Sequence, residues 1–261
     1  EIRKLMNGKA AGESGIVAEL LKAGCPYLVD RLGSLFKRVW EEETVPGDWR
    51  SGVVIPLHKK GDKMNLDNYR GITLMDVVGK VFSGIIRNRI ERAFQDKIAE
   101  EQAGFRKGRG CVDQAYSLAQ TVLKRLEKQD TFLCFVDLKK AYDSVWRDGL
   151  FRKMEQEGVP LKLVRLVRAW YHGVSVRVRV NDVLSSSFVT KVGVRQGDTL
   201  SPLLFNIFIN GIVQKVKKDG ESRELGDLKI PVLLFADDMV LIADGKDEQT
   251  GENGREGQAI L

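Results

Sequence analysis

The sequence predicts an α+β fold, with helices in its first half and antiparallel strands mixed with helices in its second half. Apolar residues recur at helical spacing over residues 26–43 and 77–94. Valines alternate strictly with polar residues over 174–180, which is typical of a strand with one solvated face. An apolar run at 231–243 is split by two adjacent aspartates, which indicates a hairpin.

The composition is that of a folded protein rather than a disordered or fibrous one. The chain has 261 residues, of which 43% are hydrophobic and 30% are charged. It can therefore bury a sizeable core, unlike collagen or a wholly disordered chain. Its formal net charge of +6 fits an anionic partner, although many proteins without such a partner are equally basic. Charge alone does not identify a nucleic-acid-binding protein.

Cysteine and histidine usage argues against a disulfide framework and against a zinc site of the usual spacing. Cys25, Cys111 and Cys134 are far apart in sequence, and so are His58 and His172. A reducing intracellular setting is the simpler interpretation. No apolar run is long enough to cross a bilayer, and the first residues carry no signal-peptide pattern. We therefore expect no membrane partner.

The remaining elements follow from caps, apolar stripes and turn residues. Further helices are predicted at 14–24, with Ser14 as the cap, and at 112–129, 146–157, 161–172 and 200–216. Strands are predicted at 53–57, at 131–138 and at 183–192, the last as the hairpin partner of 174–180. The run at 131–138 is nearly all apolar and rich in β-branched and aromatic residues, which predicts a buried strand. Residues 245–261 are polar and rich in glycine, so we expect disorder there.

Three carboxylates stand beside apolar strands. Asp137 lies at the end of the apolar run that begins at Thr131, and Asp237 and Asp238 lie at the turn of the predicted hairpin. Carboxylates in an apolar setting need a compensating cation, and like charges held close together repel. Two Mg²⁺ ions bridged by such carboxylates would neutralise them and support in-line phosphoryl or nucleotidyl transfer. An Asp-Asp pair between strands is also ordinary turn chemistry, and for this motif alone that interpretation stays open.

Six ordered sequence blocks extend this pattern over residues 5–244. They are 7–10 with 18–22, Trp49 with 55–62 and 68–70, 102–106, 135–145, 193–206, and 235–238. In order and spacing these blocks resemble the reverse transcriptase domain of LINE-type non-LTR retrotransposons. The resemblance implies a right-hand polymerase with fingers at 1–130, a palm at 131–244, and an antiparallel palm sheet backed by helices. It also implies an RNA-directed DNA polymerase that uses an RNA template, a DNA primer, deoxynucleoside triphosphates and two Mg²⁺ ions, or Mn²⁺.

The resemblance also assigns roles to individual residues. The catalytic residues would be Asp137, Asp237 and Asp238, and the same three would bind the metals together with the backbone carbonyl of Leu138. The nucleotide-binding residues would be Arg70, Lys60 (or its neighbour Lys59), Tyr142, Gln196 and Gly197. Of these, Tyr142 matches the aromatic residue that disfavours a ribose 2′-hydroxyl. The basic loop residues Arg106 and Arg109 would contact the template or primer.

The polar C-terminal segment departs from the family pattern. Related proteins continue into a primer grip and a helical thumb, so we expect a C-terminally truncated domain without a thumb and with weak or absent processive synthesis. Three alternatives stay open: a non-catalytic nucleic-acid-binding remnant, an RNA-templated RNA polymerase, and a plain structural or protein-binding α+β domain. By resemblance, the expected location is intracellular, nuclear and/or cytoplasmic.

Overall fold

The fold is given by a computed structural model that describes residues 1–126, 130–219 and 230–244. It combines helices and sheets, so the predicted α+β class is confirmed. The α-helices are α1 (Ala18–Ala23), α2 (Pro26–Glu42), α3 (Gly47–Arg50), α4 (Val77–Phe94), α5 (Cys111–Leu126), α6 (Arg147–Gln156), α7 (Leu161–Tyr171) and α8 (Ser201–Asp219). Short 3₁₀ turns lie at Ile2–Lys4, Leu66–Asn68, Gln95–Lys97 and Ala141–Ser144.

The strands of the described ranges form two sheets. They are β1 (Ser51–His58), β2 (Tyr69–Met75), β3 (Thr131–Asp137), β4 (Ser175–Val180), β5 (Val183–Leu184), β6 (Phe188–Val189), β7 (Val232–Phe235) and β8 (Asp238–Asp244). In the first sheet β1 pairs antiparallel with β2 and parallel with β4, and β4 pairs antiparallel with β5 and β6. The second sheet is wholly antiparallel in the order β3-β8-β7.

Helices α4, α7 and α8 contribute much of the hydrophobic core. Helix α4 starts as its sequence predicts, because the Asp76 carboxylate accepts a hydrogen bond of 3.0 Å from the Gly79 N–H. Its Phe82 ring lies 5.5 Å from the Trp49 ring and 6.2 Å from the Trp170 ring of α7. Phe205 on α8 is almost completely buried in the same core cluster. The same cluster includes Met75 of β2, Val176 of β4 and Val232 of β7, so one core backs both sheets.

Strand β3 is exposed, so the prediction of a buried strand was wrong. Phe132 is 64% exposed and Phe135 is 72% exposed. The strand forms one edge of the second sheet, and its side chains are poorly covered by the described elements. An apolar, β-branched composition identifies a strand but does not reveal whether another surface covers it. Exposed apolar strands at a sheet edge favour association with other chains.

Other element boundaries also differ from the prediction. Helix α1 starts at Ala18 rather than near Ser14, because Ser14 Oγ accepts from the Ile16 N–H and forms a local turn instead. Strand β2 and the parallel pairing of β1 with β4 were not predicted. The expected disorder at 245–261 concerns residues outside the described ranges. Among the described helices, none is both long and apolar enough to cross a membrane.

Candidate functional site

A cleft of about 750 Å³ opens between the two sheets. Eight of the residues assigned from the sequence line it: Arg70, Asp137, Leu138, Tyr142, Gln196, Gly197, Asp237 and Asp238. The remaining three, Lys60, Arg106 and Arg109, do not line it, and Lys59 lines it in place of Lys60. The fold therefore brings most of the predicted site together from segments that are far apart in sequence.

The register of the second sheet places the carboxylates. Asp137, the last residue of β3, lies directly opposite Asp238, the first residue of β8. Residues opposed in this way have Cα atoms about 5 Å apart and side chains on the same face of the sheet. The Phe235–Asp238 pair closes the hairpin, so Asp237 occupies the turn between β7 and β8. All three carboxylates thus belong to one end of one small sheet.

The hairpin turn holds a conformation that glycine usually adopts. Ala236 has a φ of +60°, whereas Asp237 has no positive φ. A positive φ at the first central residue alone corresponds to a type II′ turn. For alanine this backbone conformation is strained by about 1–2 kcal/mol, so surrounding contacts must maintain it.

Burial and charge repulsion both act on the Asp238 carboxyl at this end of the sheet. Partial burial raises the pKa of the Asp238 carboxyl above its ordinary value, and the nearby Asp237 and Asp137 raise it further. Both causes disfavour the ionised form. A cation between the carboxylates would remove the repulsion, so the arrangement is suited to divalent metal ions.

The donor set fits magnesium in an open site. Within the described residues, no group of three or more His, Cys, Asp or Glu side chains forms a ready-made metal cage. Mg²⁺ does not require one, because it usually binds one or two carboxylates and completes its octahedron with water and substrate phosphates. Asp137 and Asp237 carry hard carboxylate oxygens that could hold such an ion, and Leu138 lines the same cleft.

A loop at 193–200 lines the cleft with its residues 196–199. The Thr73 N–H of β2 donates to the Gln196 carbonyl at 2.7 Å. Gly197 has a φ of +112°, and a Cβ there would lie 2.6 Å from the Thr73 carbonyl oxygen. Only glycine permits this approach of the two backbones. The Gln196 side chain donates to Asp143 at 3.3 Å, which joins this loop to the segment after β3.

A buried polar cluster supports the same loop from below. The Asp198 carboxylate accepts from Trp170 Nε1 at 2.8 Å and lies 3.5 Å from the Arg195 guanidinium. Arg195 also donates to the Trp49 carbonyl at 2.8 Å. Burial raises the pKa of the neighbouring Tyr171 to about 12, and the charge of Asp198 adds to the shift. The Arg195–Asp198 ion pair flanks Gln196 and Gly197 and holds them in place, and Arg195 Nε has no hydrogen-bond partner among the described residues.

Tyr142 forms an aromatic floor of the cleft. Its ring stacks on Phe205 at a centroid distance of 5.0 Å and meets the edge of Phe105 at 6.1 Å. Burial, with a contribution from Asp237, raises the pKa of the Tyr142 phenol well above its usual value, so the phenol stays neutral. Phe105 is 54% exposed with a φ of +58°, and sequence reasoning assigned it no role. Only its place in the 102–106 block could have suggested one.

Four cationic residues line the cleft: Lys59, Arg70, Lys139 and Lys140. Arg70 lines the cleft from β2 and forms no ion pair with any residue that the structure describes. Lys140, which sequence reasoning also missed, pairs with Asp67 at 2.6 Å across 73 residues of sequence. This contact raises the pKa of Lys140 and lowers the pKa of Asp67. Since both side chains are exposed, their ion pair is easily exchanged for another partner.

Arg106 and Arg109 are engaged within the protein. Arg106 pairs with Glu100 at 3.3 Å and donates to the carbonyls of Ala99 and Gln102. Arg109 also pairs with Glu100 and donates to its carbonyl. These contacts organise the loop between α4 and α5. The contact of Arg106 and Arg109 with a template or primer stays a prediction.

The sequence also resembles known proteins over most of its length. The family pattern described as reverse transcriptase (RNA-dependent DNA polymerase) matches residues 57–259. The probable RNA-directed DNA polymerase from transposon X-element of Drosophila melanogaster is 27% identical over 95% of this chain. The RNA-directed DNA polymerase from mobile element jockey of the same organism is 26% identical over 94% of this chain. In each case the chain spans 27% of the relative's length.

Solved structures share the fold at low sequence identity. Apo telomerase from Candida tropicalis superimposes with a TM-score of 0.56 and 13% identity, covering 83% of this chain and 44% of that one. A C-terminally truncated form of the same telomerase gives a TM-score of 0.53 over 84% of this chain and 49% of that chain. The resemblance stated from the sequence agrees with the family match and with the mobile-element relatives. The carboxylate cleft is consistent with it. The chain belongs to the reverse transcriptase family.

Proposed function

We propose that the cleft catalyses RNA-directed DNA synthesis. In this reaction a primer 3′-hydroxyl attacks the α-phosphorus of a deoxynucleoside triphosphate on an RNA template, and pyrophosphate leaves. The observation that carries the proposal is the convergence of Asp137, Asp237 and Asp238 in one cleft with Arg70 and Tyr142. The family match supports the proposal, because the family is described as RNA-dependent DNA polymerase.

In the proposed function the carboxylates hold two Mg²⁺ ions, and Mn²⁺ can replace them. Asp137 and Asp237 would be the principal ligands, and Asp238 and the Leu138 carbonyl would be further ligands; all four residues line the cleft. Bound ions of this kind lower the pKa of an attacking hydroxyl and stabilise charge on a transferring phosphoryl group. The raised pKa of Asp238 supports this role, because a cation relieves the repulsion that raises it.

The cationic residues bind the triphosphate in this proposal. Arg70 offers a planar guanidinium that can contact two phosphate oxygens at once. Lys59 and Lys140 line the same cleft. An arriving triphosphate would compete with Asp67 for the Lys140 ammonium. The Asp67–Lys140 pair thus keeps Lys140 directed at the entrance until the nucleotide replaces Asp67.

We assign residues 1–130 to the fingers and 131–244 to the palm of a right-hand polymerase. This division is supported by the cleft, which is lined by residues from both segments of the chain. Arg70 comes from β2 in the first segment, and the carboxylates come from β3 and the β7–β8 hairpin in the second. In the same proposal Gln196 and Gly197 contact the incoming nucleotide, and Tyr142 packs under its sugar.

Asp238→Asn is expected to stabilise the metal-free protein. Removing one of the three like charges should raise the melting temperature by about 1–3 °C near neutral pH. The raised pKa of Asp238 sets the pH dependence, because the repulsion is present above that pKa and lost as Asp238 protonates at lower pH. The gain should therefore shrink on acidification. Thermal unfolding with and without Mg²⁺ measures both effects.

The control for this experiment is Asp182→Asn, which removes an exposed carboxylate outside the cleft. Mg²⁺ should stabilise wild type and Asp182→Asn equally, and Asp238→Asn less. A melting temperature of Asp238→Asn below that of wild type, in the absence of metal, would contradict the repulsion.

Asp237→Asn is expected to abolish primer extension. Loss of a group that holds the charge-stabilising ions should reduce single-nucleotide incorporation to below about 1% of wild type. The assay extends a labelled DNA primer on an RNA template with Mg²⁺ and deoxynucleotides. Asp182→Asn again serves as the control and should retain wild-type activity. An Asp237→Asn protein that extends primers as wild type does would refute the assignment.

Tyr142→Val is expected to relax sugar discrimination. A smaller side chain leaves room for a ribose 2′-hydroxyl, so the ratio of ribonucleotide to deoxynucleotide incorporation should rise about 10- to 100-fold. Competition between the two nucleotides at one template position measures this ratio. If wild type already prefers ribonucleotides, the alternative of an RNA-templated RNA polymerase is correct instead.

A further inference from the structure

A short segment between α4 and α5 extends the catalytic sheet. The Ala103 N–H donates to the Leu234 carbonyl at 3.0 Å, and the Leu234 N–H donates to the Glu101 carbonyl at 2.9 Å. Gln102 thereby forms a parallel bridge with Leu234 on β7. This segment belongs to the 102–106 block, for which the sequence suggested no chemical role beyond that of Arg106.

The Gln102 side chain clamps the turn that carries Asp237. Its Oε1 accepts from the Ala236 N–H at 2.9 Å, and its Nε2 donates to the Ala236 carbonyl at 3.2 Å. One amide therefore satisfies both backbone polar groups of a single turn residue. Gln102 is only 2% exposed, so water does not compete for these bonds.

The clamp is itself fixed from α8. Gln102 Oε1 also accepts from the Gly104 N–H at 2.7 Å, and Asn206 Nδ2 donates to the Gly104 carbonyl at 2.9 Å. A Cβ on Gly104 would lie 2.1 Å from the Ala236 nitrogen, so glycine allows the two segments to touch. A continuous set of contacts thus runs from α8 through Gly104 and Gln102 to the turn.

The residue that Gln102 clamps is the strained one. Ala236 has the φ of +60°, and its carbonyl belongs to the peptide that begins Asp237. Without the clamp the turn could relax toward an unstrained conformation and move the Asp237 carboxylate. A neutral amide is required here, because a carboxylate would lose the donor and add a fourth negative charge near the site.

We propose that Gln102 is a positioning residue that sets the Asp237 carboxylate for metal binding by holding the Ala236 backbone. This inference rests on the proposed function for its catalytic consequence. Groups that orient metal ligands change metal affinity or activity by about 10- to 100-fold when removed. Gln102→Met, which keeps the length but removes both polar atoms, should therefore weaken Mn²⁺ binding at least about tenfold. In primer extension it should lower kcat with little change in nucleotide KM.

Gln114 provides a matched control. Its Nε2 donates to the carbonyls of Glu101 and Leu234, so it fastens the same two segments without touching the turn. Gln114→Met should lose about as much free energy of unfolding in urea as Gln102→Met does. Its Mn²⁺ dissociation constant should stay within about twofold of the wild-type value, which is a smaller change than the loss of a ligand-orienting group causes. Ala236→Gly in the Gln102→Met background should restore part of the Mn²⁺ affinity, because glycine adopts the turn conformation without strain.

The decisive measurement is Mn²⁺ binding by electron paramagnetic resonance on the full chain, with Asp237→Asn defining the site. Weakened binding in Gln102→Met and retained binding in Gln114→Met support the inference. Equal weakening in both, or wild-type binding in Gln102→Met, overturns it. Should Gln102→Met not fold, Gln102→Asn carries the same test, because it is neutral but one methylene too short to reach both polar groups of Ala236.

The two proposals can fail separately in this design. A wild-type protein that binds Mn²⁺ at the Asp237 site but extends no primer overturns the polymerase proposal, while the Mn²⁺ series still decides the role of Gln102. A wild-type protein that binds no Mn²⁺ at this site overturns both.

Discussion

The register between β3 and β8 is the constraint on which the whole site depends. It places Asp137 opposite Asp238 and leaves Asp237 in the turn, so three negative charges converge at one end of a small sheet. A shift of the strand pairing by one residue would turn the Asp137 side chain to the opposite face of the sheet and separate it from Asp238. Burial, together with the nearby Asp237 and Asp137, raises the pKa of the Asp238 carboxyl, as expected for like charges held close together. The proposed binding of divalent cations would neutralise these charges.

The rest of the cleft is built by close backbone contacts rather than by long side chains. The 193–200 loop contacts β2 at Gly197, and the turn that carries Asp237 contacts the 102–104 segment at Gly104. In both places a side chain would collide with the neighbouring backbone, so glycine is what allows the approach. Buried polar side chains, Asp198 and Gln102, then fix each contact. Such preorganised supports suit a site that must hold charged reactants in place.

Much of this organisation could be predicted from the sequence, and the failures have physical reasons. The periodicity of α4 and the split apolar run of the β7–β8 hairpin are local signals, and both elements formed as predicted. Burial of β3 was predicted wrongly, because composition cannot tell whether another surface covers a strand. The Asp67–Lys140 pair and the Gln102 clamp join distant segments, so no local pattern indicates them. The pairing of Arg106 with Glu100 was not predicted from the sequence either, and the contact of Arg106 with nucleic acid stays a prediction.

The most direct test of the account is anomalous diffraction from crystals of the chain with Mn²⁺, an RNA–DNA template–primer ending in a dideoxynucleotide, and the next deoxynucleoside triphosphate. The account predicts two manganese peaks about 3.5–4 Å apart. Both Asp137 and Asp237 should coordinate the metal, and the triphosphate should lie beside Arg70. Manganese bound without Asp137 and Asp237, or a nucleotide bound outside this cleft, would contradict it.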